Sequence, residues 1–119
     1  YSVFPTGGSV VMPKIIKDDE ITELKGIISS EAASLVTKAL TQTVKNPNGT
    51  AHILQSGKEI AAKTGTAEIK EKQNTKGKEN SFILAFDSND GNYLVISMIE
   101  GAEGTSAVEK NRNFIIQLQ

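Results

Sequence analysis

The chain has 119 residues, of which 38% are hydrophobic and 23% charged, with a formal net charge of -1. That length is one domain or a piece of one, and the composition is that of a packed protein rather than a disordered one. The near-neutral balance excludes an electrostatic footprint for nucleic acid or for an anionic membrane surface. No cysteine is present, which excludes disulfides, thiol catalysis and thiolate metal sites, and the single histidine, His52, excludes a histidine metal cluster. The apolar runs are too short to span a bilayer and no signal peptide is visible, so any targeting segment is expected upstream of Tyr1.

Tyr1-Ser2-Val3-Phe4 reads as the end of a helix, closed by the turn signal Pro5-Thr6-Gly7-Gly8. Ser9 to Met12 and Ile15-Ile16 read as short extended pieces, Lys17 to Glu20 as a polar turn, and Ile21 to Gly26 fits no single pattern. A helix is expected over Ser30 to Lys45. Ser29-Ser30-Glu31 supplies an N-cap hydroxyl and a first-turn acid. Ala32, Leu35, Val36, Ala39, Leu40 and Val44 recur at helical spacing, leaving Lys38, Gln42 and Lys45 for water. Asn46-Pro47-Asn48-Gly49 ends it.

Thr50 to Gly57 reads as a connection in which His52 is solvated, and Glu59 to Ile69 as the first long strand. Lys70 to Asn80 has no apolar residue and reads as a solvated loop. Ser81 to Asp87 and Asn92 to Glu100 are apolar on both faces, which predicts strands sandwiched between layers. Asp90-Gly91 between them is a hairpin signal. Ser106 and Glu109 fit a capping box opening a last helix that lays Val108, Phe114, Ile115 and Leu118 on the sheet. The expected fold class is α/β: a helix, a three-stranded antiparallel sheet and a C-terminal helix across one face.

The stretch Glu59 to Glu68 carries the chemistry. Lys63 lies among Ala61, Ala62 and Gly65, so nothing bulky shields it. Its ammonium can hold a hydroxyl or carboxylate, or lower the pKa of a neighbour; it is equally a lysine guarding a sheet edge against aggregation. Gly65 weakens a strand and marks either a bulge or the close approach of another backbone. Thr64 and Thr66 share one face by the period-two rule, as substrate-binding hydroxyls or simply as good strand formers. A backbone N–H near Thr66 is placed to stabilise a developing oxyanion, and a free edge accepts a peptide-like ligand as an added strand. His52 reads as solvated rather than catalytic, and Glu68, Glu71, Glu100 and Glu103 as solvent-facing.

Lys63-Thr64-Gly65 matches the third signature of penicillin-binding proteins and serine β-lactamases. The longer run Ala62-Lys63-Thr64-Gly65-Thr66-Ala67-Glu68 resembles the strand of class B penicillin-binding proteins, the monofunctional D,D-transpeptidases. The helix end before Gly7-Gly8 and the helix running into Asn48-Gly49-Thr50-Ala51 are similar to that family too. The lysine-rich loop after Glu68 looks most like its low-affinity, methicillin-resistance-type branch. Ser81-Phe82 departs from the family's usual Trp-Phe.

The resemblance implies a penicillin-binding transpeptidase (serine β-lactamase-like) fold and an acyl-enzyme mechanism. A serine attacks the penultimate D-Ala carbonyl of a peptidoglycan stem peptide (D-Ala-D-Ala), and β-lactams acylate the same serine. It implies that Lys63 organises the proton network of the motif serines and that Thr64 and Thr66 bind the substrate or antibiotic carboxylate. The Thr66 N–H is then half of the oxyanion hole, and Gly65 leaves room for the ligand. No cofactor or metal is implied.

Ser-x-x-Lys and Ser-x-Asn, the family's other two motifs, do not occur at any serine of the chain. Residues 1–119 therefore read as the C-terminal portion of the transpeptidase domain without its nucleophile-bearing part, inactive alone. The expected partners are stem peptide, β-lactams and the remainder of the domain, with self-association of the isolated piece through its half-covered sheet. The expected location is the extracellular face of the cytoplasmic membrane, with the anchor outside this chain. Readings from other classes are a β-lactam sensor, a non-catalytic fragment that pairs through its strand edge, and a D,D-carboxypeptidase.

Overall fold

In the computed structural model, which describes residues 1–70, 72, 77–102 and 106–118, the chain opens with a helical turn. Thr6 N–H donates to Ser2 O at 3.2 Å and Gly8 N–H to Val3 O at 2.9 Å. Gly8 sits at φ +113°, and a Cβ there would lie 2.4 Å from Ile28 O, so only glycine passes beneath that carbonyl. Strand β1 (Val10–Val11) pairs antiparallel with β2 (Glu23–Leu24) in a small separate ribbon. Ile15-Ile16 is not the extended piece expected. It bends through a turn in which Asp19 N–H reaches Ile16 O at 3.3 Å and Lys14 Nζ holds Lys17 O at 2.7 Å. Those local bonds outweigh the β-branched preference because both isoleucines are exposed and gain nothing from pairing.

Helix α1 spans Ser30–Lys45, with Ser29 Oγ accepting from Ala32 N–H at 3.2 Å. Hydrogen bonds from the backbone N–H of Glu31 and then from Ser29 hold the Glu31 carboxyl below its ordinary value. The buried strip is Ala33, Thr41 and Val44, flanked by half-buried Leu40. The apolar stripe read from the periodicity is therefore only partly buried: Leu35 is 71% exposed, and Ala32 and Ala39 face solvent. The helix packs along β3 and, through Val44, against Leu54, and these contacts cover less than the apolar arc is wide.

After the turn at residues 46–49, a single turn of 3₁₀ helix covers His52–Leu54. His52 is not simply solvated. Its ring is half-buried, and Nδ1 lies 2.8 Å from Val44 O, so a protonated Nδ1 donates to one of the last carbonyls of α1.

Strands β3 (Ile60–Ile69), β4 (Lys78–Asp87) and β5 (Leu94–Ile99) form an antiparallel sheet in the order β3-β4-β5. Pairing of β3 with β4 is continuous from Ile60↔Asp87 to Ile69↔Lys78. The expected loop over 70–80 is consequently shorter. Lys78 to Asn80 belong to β4, and residues 71 and 73–76 lie outside the described set. Polar residues extend the ladder here because the hairpin arm runs past the core, with Ile69 57% exposed. Asn80 is buried, and its Oδ1 accepts from Gly101 N–H at 3.1 Å.

Helix α2 (Ala107–Gln117) carries the expected capping box between Ser106 and Glu109. Ser81, the departure from the family pattern, accepts from Ala107 N–H at 2.9 Å and satisfies one of the unpaired donors at the start of α2. Lys58 Nζ donates to Ile116 O at 2.8 Å and Leu118 O at 3.0 Å at the other end. The face on the sheet is Ala107, Val108, Asn111 and Ile115 rather than one that includes Phe114, which is 55% exposed. Asn111 takes the inward position and donates to Ser97 Oγ at 2.9 Å.

The core is one-sided. Ile60, Ala62, Ile83, Ala85, Val95 and Ile99 pack with Val108 and Ile115 of α2, and with Val44 and Leu54. On the opposite face Ala61, Leu84 and Phe86 meet Phe4 and Leu40. Across β5, Leu94, Ile96 and Met98 stand open on that face at 37%, 65% and 54% exposure. The expectation of strands sandwiched between layers thus holds for one face and fails over much of the other. No helix among the described residues is long and apolar enough to cross a membrane.

Candidate active site

The β3 edge away from β4 is free, since β3 ends the strand order. Two hydrogen bonds fix which backbone groups look outward. Glu59 O accepts from Ser88 N–H at 2.8 Å on the β4 side. Ala62 O accepts from Thr43 Oγ1 at 2.7 Å on the outer side, where α1 meets the strand. Alternation along an antiparallel strand then turns the N–H and C=O of Thr64, Thr66 and Glu68 outward, and those of Lys63, Gly65 and Ala67 toward β4.

Side chains alternate in the other sense. Lys63 and Gly65 share the open face of the sheet, beside Leu84 and Phe82 in register. Thr64 and Thr66 share the opposite face. A shallow depression of about 330 Å³ lies against the open face, lined by Tyr1, Lys63, Thr64 and Gly65 with Phe82, Ile83, Leu84 and Ile96. Lys63 is exposed, and its Nζ donates to the Thr64 carbonyl that the free edge presents. The Thr64 hydroxyl lies 2.9 Å from the Thr50 hydroxyl.

Gly65 discriminates between its two readings. The register runs unbroken through Gly65↔Phe82, so no bulge is present. A Cβ at Gly65 would meet nothing nearer than Phe82 Cβ at 3.6 Å, an ordinary contact. Among the described residues neither the ladder nor packing demands glycine at this position.

The four residues singled out from sequence, Lys63, Thr64, Gly65 and Thr66, thus lie together on one free edge, split between its two faces. The other candidates stand apart. His52 is committed to α1. Glu68 accepts from Gly77 N–H at 2.8 Å and pairs with Lys70 at 2.9 Å. Glu100 is exposed, and Glu71 and Glu103 lie outside the described residues. Thr50 is the residue that sequence reasoning passed over. Its only signal was membership of Asn48-Gly49-Thr50-Ala51, which says nothing of a contact across the chain.

The fold recurs in solved structures. The apo TP domain of Burkholderia pseudomallei penicillin-binding protein 3 superposes with a TM-score of 0.67 at 17% identity, over 83% of this chain and 31% of that one. Penicillin-binding protein 2B of Streptococcus pneumoniae gives 0.64 at 16% identity, over 95% of this chain and 22% of that one. In sequence, penicillin-binding protein 3 of Bacillus subtilis is 33% identical over 108 residues, which is 87% of this chain. This chain spans 16% of that relative's length. The model of the penicillin binding protein transpeptidase domain matches residues 1–116, nearly the whole chain, and the chain accordingly belongs to that family.

Proposed function

We propose that this chain is the C-terminal portion of a class B, monofunctional D,D-transpeptidase domain of the low-affinity, methicillin-resistance-type branch, and that it supplies one wall of the active site. The whole protein cross-links peptidoglycan at the outer face of the cytoplasmic membrane, anchored by a segment outside this chain. A serine from the remainder of the domain attacks the penultimate D-Ala carbonyl of a stem peptide. Terminal D-Ala leaves, and the acyl group passes to an amine of a neighbouring strand. β-Lactams acylate the same serine. Lys63 organises the proton network around that serine, and Thr64 and Thr66 hold the substrate or antibiotic carboxylate. The Thr66 N–H donates to the oxyanion, which gains most where the donor is already fixed.

The observation that carries this reading is the free β3 edge, where the outward N–H of Thr66 follows a glycine that packing among the described residues does not require. The open face of Leu94, Ile96 and Met98 supports the view that further parts of the domain cover the sheet. In the isolated chain that same face drives self-association.

A fluorescent penicillin tests the division of labour. The 119-residue chain alone is expected to remain unlabelled, while a complete domain that adds a Ser-x-x-Lys element is labelled on that serine. A covalent adduct mapped to any residue of this chain contradicts the proposal.

A further inference from the structure

We infer that Thr50 is a positioning residue for carboxylate recognition, acting through the Thr64 hydroxyl; this rests on the reading of β3 as the substrate wall. Thr50 is 14 residues before Thr64 and outside the motif, yet their hydroxyls lie 2.9 Å apart. The turn that carries Thr50 is tightly fixed. Gly49 packs so closely on the end of α1 that a Cβ there would lie 2.2 Å from Thr43 O. Ala51, on the other side, is fully buried and donates its N–H to the same Thr43 carbonyl at 3.0 Å. The Thr43 hydroxyl in turn donates to Ala62 O of β3 at 2.7 Å. One residue therefore ties the turn to the strand, and it sets Thr50 against Thr64 although Thr50 itself is exposed.

A threonine hydroxyl has one proton and two lone pairs. Thr64 Oγ1 donates its proton to Thr50 Oγ1. A bound carboxylate offers only acceptors, so Thr64 must turn its proton to the ligand. Thr50, whose lone pair is then released, turns its own proton to a lone pair of Thr64 Oγ1. Two hydroxyl rotations achieve this with no heavy-atom movement, and the second bond polarises the first. Without Thr50, the Thr64 hydroxyl is free to rotate and lacks that polarising donor.

The test measures acylation rate constants in the complete domain that contains this chain. For a β-lactam carrying a free carboxylate, Thr50→Val is expected to lower the rate about 3- to 10-fold, the worth of one hydrogen bond. Thr50→Ser restores it. The loss disappears with the methyl ester of the same β-lactam, and Thr50→Val adds nothing in a Thr64→Ala background. An equal loss with acid and ester, or no loss with either while Thr64→Ala slows acylation, overturns the role of Thr50 and leaves the β3 reading intact. If Thr64→Ala leaves acylation by the free acid unchanged, the reading of β3 itself fails.

Discussion

Replacing Lys63 with alanine in the complete domain is expected to slow acylation by a β-lactam about 10²- to 10⁴-fold, the range contributed by a positioned proton-transfer group. The melting temperature should barely move. Lys63 is exposed, its Nζ donates to the neighbouring Thr64 carbonyl, and surface changes of that kind are nearly neutral for stability. The combination separates a chemical role from edge protection. A lysine kept only to discourage edge pairing would, when removed, increase aggregation and leave the acylation rate unchanged. Stopped-flow acylation and a thermal melt on the same preparation distinguish the two.

The largest effect on stability is expected at Phe86. It is fully buried near the end of the central strand β4, packed with Ala61, Leu84, Phe4 and Leu40. It joins the opening helical turn and α1 to the β3–β4 ladder on the face that is otherwise open. Phe86→Ala removes that contact and leaves a cavity between partners drawn from separate elements, so collapse is poor. The expected cost is about 3–5 kcal/mol, a large share of the roughly 5–15 kcal/mol that holds a domain folded. Urea denaturation of the complete domain reads it as a lowered midpoint. A shift worth less than about 1 kcal/mol would mean that the opening turn and α1 are held mainly by other contacts.

Much of this fold is legible in the sequence because its signals are local. The bounds of α1 follow from Ser29 at one end and Asn46-Pro47 at the other, and the start of α2 from the Ser106 and Glu109 box. The three strands follow from their apolar runs and the Asp90-Gly91 turn. What was missed depends on partners distant in sequence. Periodicity names an apolar arc but not how much of it meets a neighbour, which is why Leu35 and Phe114 were expected inside and lie outside. Composition assigns Lys78 to Asn80 to a loop, while pairing with Ala67 to Ile69 draws them into β4. His52 reads as solvated because its carbonyl partner belongs to α1.

The candidate site divides in the same way. Lys63, Thr64, Gly65 and Thr66 were legible as a contiguous run whose chemistry fits a substrate edge and whose pattern resembles a known motif. Which backbone groups look outward followed only once Glu59 and Ala62 had shown the direction of their carbonyls, and which sheet face each side chain takes only from the register with β4. Thr50 was not legible, because its meaning comes from a bond to another element and not from its neighbours in sequence.

The most direct test of β3 as the substrate wall is the structure of the complete domain acylated by a β-lactam. The ligand is expected to lie along the free edge of β3, with its carboxylate on the Thr64 and Thr66 hydroxyls. The acyl oxygen is expected about 2.7–3.1 Å from the Thr66 N–H, the reach of an oxyanion donor. An acyl-enzyme whose ligand lies away from this edge, its oxyanion held by donors outside β3, would contradict it.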